Sequence, residues 1–417
     1  MKKLNFPYIA AMSGVIVLAA FFAPFFWDQW YGWAISAMGF FGIISCRGKR
    51  VSFTRIDVLL LICFVCLCSG LVNIAEREQA MRYFRFFILP VPFIYFFSGR
   101  CYSRVDQFDV LRVFWTCGLV AGICGIIEIV TRQNIIYRYF FENYYFDVSI
   151  GRRLMSFFFH PVVAATYLAG VLPLTVSLFL LENKRAAKAV IAGGIAVILV
   201  SVALAFSRAA LVALIAGSFF FVYCLKPRWA GRVLALGGAA ATSCIVFCSL
   251  ARSIYWPLAR FSVQDISAPV NFIRKFDRAV MAVRMVKDHP WFGVGYDHFR
   301  ALFDQYSHGL SIVGMGLLPD GKVADCMILT IAAETGLIGL CGFLLFLLGI
   351  FLYGLGAVRR SASQQDRIML TGYLSGLISI CCMFMTYETL YWPTPNILFW
   401  LYAGIIAYYC GMQRKRA

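Results

Sequence analysis

The chain alternates between long apolar runs and short polar breaks over nearly its whole length. Apolar runs lie near residues 8–26, 30–46, 57–75, 80–98, 108–129, 161–182, 188–206, 209–225, 233–250, 326–357, 368–386 and 394–411. A helix rises about 1.5 Å per residue, so a run of ~20 residues crosses the ~30 Å hydrocarbon layer of a bilayer. Barrel strands would instead read as segments of ~10 residues with alternating polarity. The pattern predicts an all-α, polytopic membrane protein with about twelve transmembrane helices, forming one integral membrane domain over residues 1–417. Two longer polar stretches interrupt the runs, at 130–160 and 250–325. Both are expected to be loops on the same outward side. The second is expected to contain short helices and much of any site.

Charge refines this picture. Only 14% of residues are charged, against ~25% in an ordinary soluble domain, as suits a chain immersed in lipid. The formal net charge of +18 is concentrated in short loops rather than in a nucleic-acid motif. One set of alternate loops carries Arg47, Lys49, Arg50 and Arg55, then Arg100 and Arg104, then Lys184, Arg185 and Lys188. It continues with Lys226, Arg228 and Arg232, then Arg359, Arg360 and Arg367, and ends on Arg414, Lys415 and Arg416. The short opposite loops around Asp28 and Tyr391 carry no Lys or Arg. Positive charge is retained on the cytoplasmic side of a membrane, so both termini are expected there. The first run follows Lys2 and Lys3, but it is long, bulky and followed at once by further runs, as in an uncleaved first helix. The fifteen cysteines fall mostly inside apolar runs, and their spacing fits neither a zinc site nor a disulfide framework. No metal or other cofactor is expected.

Basic residues on the outward side need a different reason, because long loops escape the orientation rule. Arg252, Arg260, Arg274, Lys275, Arg278 and Arg284 lie in the second loop, and Arg152, Arg153 and His160 close the first. Arg274 and Arg278 are four apart and share one face of a helix, where guanidinium groups can grip phosphate in a fork or meet lipid headgroups. Arg208, in Phe206-Ser207-Arg208 between two runs, fits either an arginine reaching from the bilayer edge to water or a fixed cation in an outward cavity. His289-Pro290-Trp291-Phe292-Gly293-Val294-Gly295 reads as a shaped turn, and His289 as a packing residue or a secondary site candidate. Asp325, at the start of a run, fits either a helix cap or a general base. Glu334 lies nine residues further on, about 180° round a helix, so the two carboxylates are not expected to act as a glycosidase pair. The aromatics Tyr137, Tyr139, Phe140, Phe141, Tyr144 and Tyr145 of the first loop fit interfacial anchoring or stacking on sugar rings.

Ser207-Arg208-Ala209, the large loop with His289-Pro290 and Gly293-Val294-Gly295, and Ala332-Ala333-Glu334-Thr335-Gly336-Leu337-Ile338-Gly339-Leu340 occur in an order that resembles the O-antigen ligase and O-antigen polymerase superfamily. Gly151-Arg152-Arg153, Phe157 and Pro161 resemble its upstream part. The resemblance implies a metal-independent, GT-C-like inverting glycosyltransferase of the bacterial inner membrane, with its site facing the periplasm. The implied donor is a glycan on undecaprenyl pyrophosphate, and membrane lipid surrounds the enzyme. A polymerase adds the glycan to the next repeat unit, whereas a ligase adds it to lipid A-core. By resemblance, Arg208 and Arg274 are the two key arginines, with Arg278 beside the latter, and Asp325, which stands where the ligases carry histidine, is the catalytic base expected to accept the proton of the acceptor hydroxyl. Arg208, Arg274, Arg278 and Arg284 form the expected pyrophosphate set. Arg284 and Gly295 have a spacing similar to a polymerase loop motif, which inclines the expectation to polymerase with ligase as the alternative. A small-anion transporter of the bicarbonate type is the rival class. It would place charge near mid-membrane, whereas here the charges cluster at the outer surface, and the main exceptions, Arg82, Arg85 and Arg112, lie towards run ends.

Overall fold

The structure is a computed structural model that describes residues 53–73, 77–102, 106–134, 153–158, 160–251, 269–310 and 324–416. The runs expected at 8–26 and 30–46, the first-loop aromatics Tyr137 to Tyr145, and Arg152, Arg252 and Arg260 lie outside the described residues. The other expected runs are helical. In chain order they are α1 (Arg55–Leu67), α2 (Arg77–Tyr83), α3 (Pro90–Tyr102), α4 (Gln107–Thr131), α5 (Pro161–Leu181), α6 (Arg185–Leu204), α7 (Arg208–Leu225) and α8 (Pro227–Ala251). The large loop contributes α9 (Pro269–Asp288), α10 (His298–Ala301) and α11 (Phe303–Ser307), and α12 (Met327–Arg360), α13 (Gln364–Met383) and α14 (Pro393–Arg416) complete the bundle. No strand occurs among the described residues. Six described helical stretches are long and apolar enough to cross a membrane: Arg77–Gly99, Gln107–Thr131, Pro161–Leu181, Arg185–Leu204, Arg208–Leu225 and Met327–Arg360. The first of these joins α2 to α3 through a π-helical turn, Phe84–Ile88.

Local chemistry sets the helix ends. Thr54 and Asp57 form a capping box at α1, and Asp57 also accepts a 2.9 Å hydrogen bond from the Tyr95 hydroxyl of α3. This pairing gives a buried carboxylate two functions, closing a helix end and fixing its neighbour. At α5, His160 caps the helix through Nδ1 and Pro161 follows at a position that needs no hydrogen-bond donor.

The centre is built from α5, α13 and α14. Helix α5 packs on α4, α6 and α13, while α13 also packs on α7. Lipid offers apolar side chains no reason to prefer a protein neighbour, so contact between spans depends on close fit and hydrogen bonding. Gly372, Ser375, Gly376 and Ser379 supply that fit on α13. A methyl group at Gly376 would come 2.5 Å from the carbonyl oxygen of Gly170 on α5. Across the other face, Ser379 donates to the Ala213 carbonyl of α7 at 3.1 Å.

Helix α12 is 34 residues long, or about 51 Å, well beyond the ~30 Å hydrocarbon layer. It is broken at Gly336, where φ is 68° and ψ −171°. The break releases main-chain groups that cannot be left bare within or beside lipid. The turn over 290–295 satisfies them. Val294 N–H donates to the Ala333 carbonyl at 2.8 Å, Gly295 N–H to that of Glu334 at 3.0 Å, and Leu337 N–H to that of Pro290 at 2.8 Å. Ser69 donates to the Thr335 carbonyl at 2.6 Å, and Asn73 ties the Gly293 carbonyl at 2.8 Å. The two glycine-bearing motifs of the sequence are therefore two halves of one joint.

Gly336→Ala should weaken the fold, because its Cβ would lie 2.3 Å from the Trp291 carbonyl oxygen and its backbone angles cost an L-residue about 1–3 kcal/mol. Gly231→Ala, where a Cβ meets nothing within 4 Å, should be near neutral. Thermal unfolding of the detergent-solubilised proteins measures both.

Candidate functional site

The turn before α7 is held from beneath. Ser207 caps the helix by accepting from Ala210 N–H at 3.3 Å, which makes Arg208 its first residue. Arg153 is 4% exposed and donates through Nε to the Ala205 carbonyl at 3.0 Å and through an Nη to that of Phe206 at 3.3 Å. The strip around Arg153 is itself pinned to α4. There, the buried carboxylate of Glu128 accepts from Met155 N–H at 3.0 Å and Ser156 N–H at 2.6 Å. Arg153, expected among secondary anion ligands, is thus a support for the Arg208 turn. Arg208 is half-buried at a helix N-terminus, where guanidinium and helix dipole both favour an anion.

The second cationic group stands on α9. Met281, Ala282 and Met285 pack this helix against Val294, Phe299, Phe303 and Ala333, so its apolar face rests on the loop joint and the outer piece of α12. Arg278 is buried and forms an ion pair with Asp325. Burial holds its guanidinium pKa below the ordinary value; the charge of Glu388 opposes this and Arg274 adds to it. Arg274 lies one turn away and is half-buried, and its Nε is enclosed with no hydrogen-bond partner among the described residues. Arg284 donates instead to the carbonyls of Tyr306 at 2.9 Å and His308 at 3.0 Å, so it folds the loop.

Asp325 does not cap α12. It adopts φ 54°, Cys326 occupies the cap position without a side-chain bond, and the Asp325 carboxylate turns to Arg278. Glu334 points elsewhere, accepting from the Tyr391 hydroxyl under the joint. The two carboxylates are thus in separate environments. His289 is exposed, and its carbonyl closes the turn by accepting from Gly293 N–H at 3.1 Å.

The segment between α13 and α14 enters the site, and sequence reasoning passed over it. Glu388 Oε1 accepts from Ala324 N–H at 3.0 Å and from the Thr330 hydroxyl at 2.9 Å. This fastens the segment to the start of α12, beside Asp325. Burial pushes the Glu388 carboxyl up to about 7, against the two hydrogen bonds, which lower it. The adjacent Tyr387 stacks on His160 with ring centroids 5.1 Å apart and on Trp392 at 5.9 Å, and it feels the charge of Arg153. His160 is therefore a helix cap with an aromatic stack on its ring. The pairing of Ala213 with Ser379 runs one turn further to Arg208 on α7 and to the start of this segment on α13. One signal was available. Glu388 is the sole acid in a short loop devoid of Lys and Arg.

Arg274, Arg278, Asp325 and Glu388 form one group of charges, and the Arg208 turn stands at the start of α7. Such a cluster can hold an anionic leaving group and receive a proton. Residues 193–347 match the family model described as O-antigen ligase. The match runs from within α6 to the middle of α12 and takes in Arg208, Arg274, Arg278, Asp325 and both halves of the joint. No curated protein matches the chain. Over residues 193–347 the chain is similar to the O-antigen ligase family.

Proposed function

We propose that this membrane protein transfers a glycan from a polyprenyl pyrophosphate carrier, undecaprenyl pyrophosphate in bacteria, to a sugar hydroxyl at the periplasmic face of the inner membrane. The observation that carries the reading is that the Arg208 turn, the Arg274–Arg278 face and the ion-paired Asp325 all fall inside the O-antigen ligase match. Concentration of Lys and Arg in the opposite loops supports the orientation.

In the proposed reaction the acceptor oxygen attacks the anomeric carbon as the bond to the pyrophosphate oxygen breaks, and the configuration inverts. Negative charge grows on the departing pyrophosphate, where Arg208 and Arg274 stabilise it. Arg278 holds Asp325 and adds its field. The acceptor proton passes to a carboxylate of the cluster, and the polyprenyl tail lies among the spans.

The acceptor is the next repeat unit in a polymerase and lipid A-core in a ligase, and the chemistry is common to both. The Arg284–Gly295 spacing that inclined the sequence towards polymerase is occupied by loop folding, since Arg284 binds main-chain carbonyls.

Arg208→Ala and Arg274→Ala should each lower transfer about 100-fold, as loss of one preorganised donor costs ~3 kcal/mol. Arg208→Lys should also be impaired, because an ammonium lacks the planar fork. Transfer from a lipid-linked glycan in detergent measures this, and full activity of Arg208→Ala would refute the role. In a deletion strain, single repeats on lipid A-core mark a polymerase. Finished polymer left on the carrier, with bare lipid A-core, marks a ligase. Gels probed for both species separate them.

A further inference from the structure

We propose that Glu388, rather than Asp325, takes the proton from the acceptor hydroxyl. The inference rests on the glycan-transfer reading above and deepens it. Its basis is a division of labour between two carboxylates that flank the same short segment. Asp325 is committed to the buried guanidinium of Arg278, and giving it a proton would break that pair and leave a buried cation uncompensated. Among the described residues Glu388 forms no ion pair. Its Oε1 is fixed by Ala324 N–H and the Thr330 hydroxyl, while Oε2 makes no hydrogen bond among the described residues. The carboxylate is therefore oriented through one oxygen, which leaves Oε2 without a hydrogen bond among the described residues to take a proton.

The surroundings keep it basic. Burial is the main cause that raises its pKa to about 7, with the negative charge of Asp297 acting in the same direction, while Arg300 opposes it. Arg278 from α9 and Glu334 from α12 face the same carboxylate, as do Tyr83 from α2 and the flanking Tyr387 and Tyr391. Arg278 is already neutralised by Asp325, so it does not hold Glu388 as a permanent ion pair.

The proton balance is simple. As the acceptor oxygen bonds to the anomeric carbon and the pyrophosphate leaves with the electron pair of the broken bond, the hydroxyl proton moves to Glu388 Oε2. Water then removes it after the product departs. The base form must be present at the start, so the rate should rise as pH increases through about 7 and level off above it.

The test is the pH dependence of single-turnover transfer by the full-length protein in detergent, using a polyprenyl-pyrophosphate-linked glycan and a soluble acceptor glycan. Glu388→Gln keeps a carbonyl oxygen for Ala324 and Thr330 and removes only the titratable base. It should cost about 100-fold or more and flatten the rise with pH. Thr330→Val removes a hydrogen bond that favours the charged form, so the rise should move to higher pH. This second variant reports on the site even if Glu388→Gln folds poorly. Asp325→Asn should weaken donor binding and keep the rise. Retention of the rise in Glu388→Gln, or an unmoved rise in Thr330→Val, would overturn the assignment. Absence of transfer by the wild-type protein would overturn the glycan-transfer reading along with it, so failure of the assignment alone remains distinct.

Discussion

The joint at Gly336 is the constraint on which the outer half of the molecule depends. A helix interrupted beside lipid exposes main-chain groups that water cannot reach, and each must find a partner inside the protein. Here the turn over 290–295 provides those partners by laying its own backbone along the break. Gly293 can do this because it has no side chain. A Cβ there would lie 2.4 Å from the Glu334 carbonyl carbon. The 3-10 turn Cys68–Leu71 joins from the other side, with Tyr296 donating to the Leu67 carbonyl at 2.6 Å. One short peptide thereby locates α1, the large loop and the start of α12 with respect to one another.

The charges of the site follow from that placement. With the outer piece of α12 fixed, Asp325 and Thr330 are fixed too, and α9 comes to rest on the same surface through Met281, Ala282 and Met285. Arg278 is buried there only because Asp325 neutralises it, since an isolated buried cation would cost several kcal/mol. Among the described residues, Arg274 forms no ion pair, and its enclosed Nε has no hydrogen-bond partner. Arg153 shows the opposite use of the same side chain. Spent on the carbonyls of Ala205 and Phe206, it shapes the turn that presents Arg208.

The sequence disclosed these relations unevenly. Apolar periodicity located the helices within the described residues to within a few residues, because the length of a span is set by the bilayer rather than by tertiary detail. Arg208, Arg274, Arg278 and Asp325 could be picked out because charges at the edges of apolar runs are conspicuous. What each arginine grips was not legible. Arg284 and Arg278 are six residues apart on one helix, yet one meets carbonyls and the other a carboxylate, a distinction made entirely by residues at 306–308 and 325. Glu388 was hidden for the same reason. Its partners lie 58 and 64 residues earlier in the chain, and no local pattern marks a carboxylate whose importance comes from a distant helix start.

The manner in which the joint is made has an evolutionary consequence. Its principal bonds run from main chain to main chain, and every residue other than proline carries the same amide. Trp291, Phe292 and Val294 can therefore drift in identity without shifting the helix start they support, whereas Gly293 and Gly336 cannot. Relatives with quite different substrates could inherit the same scaffold unchanged, with divergence confined to the side chains that line the site.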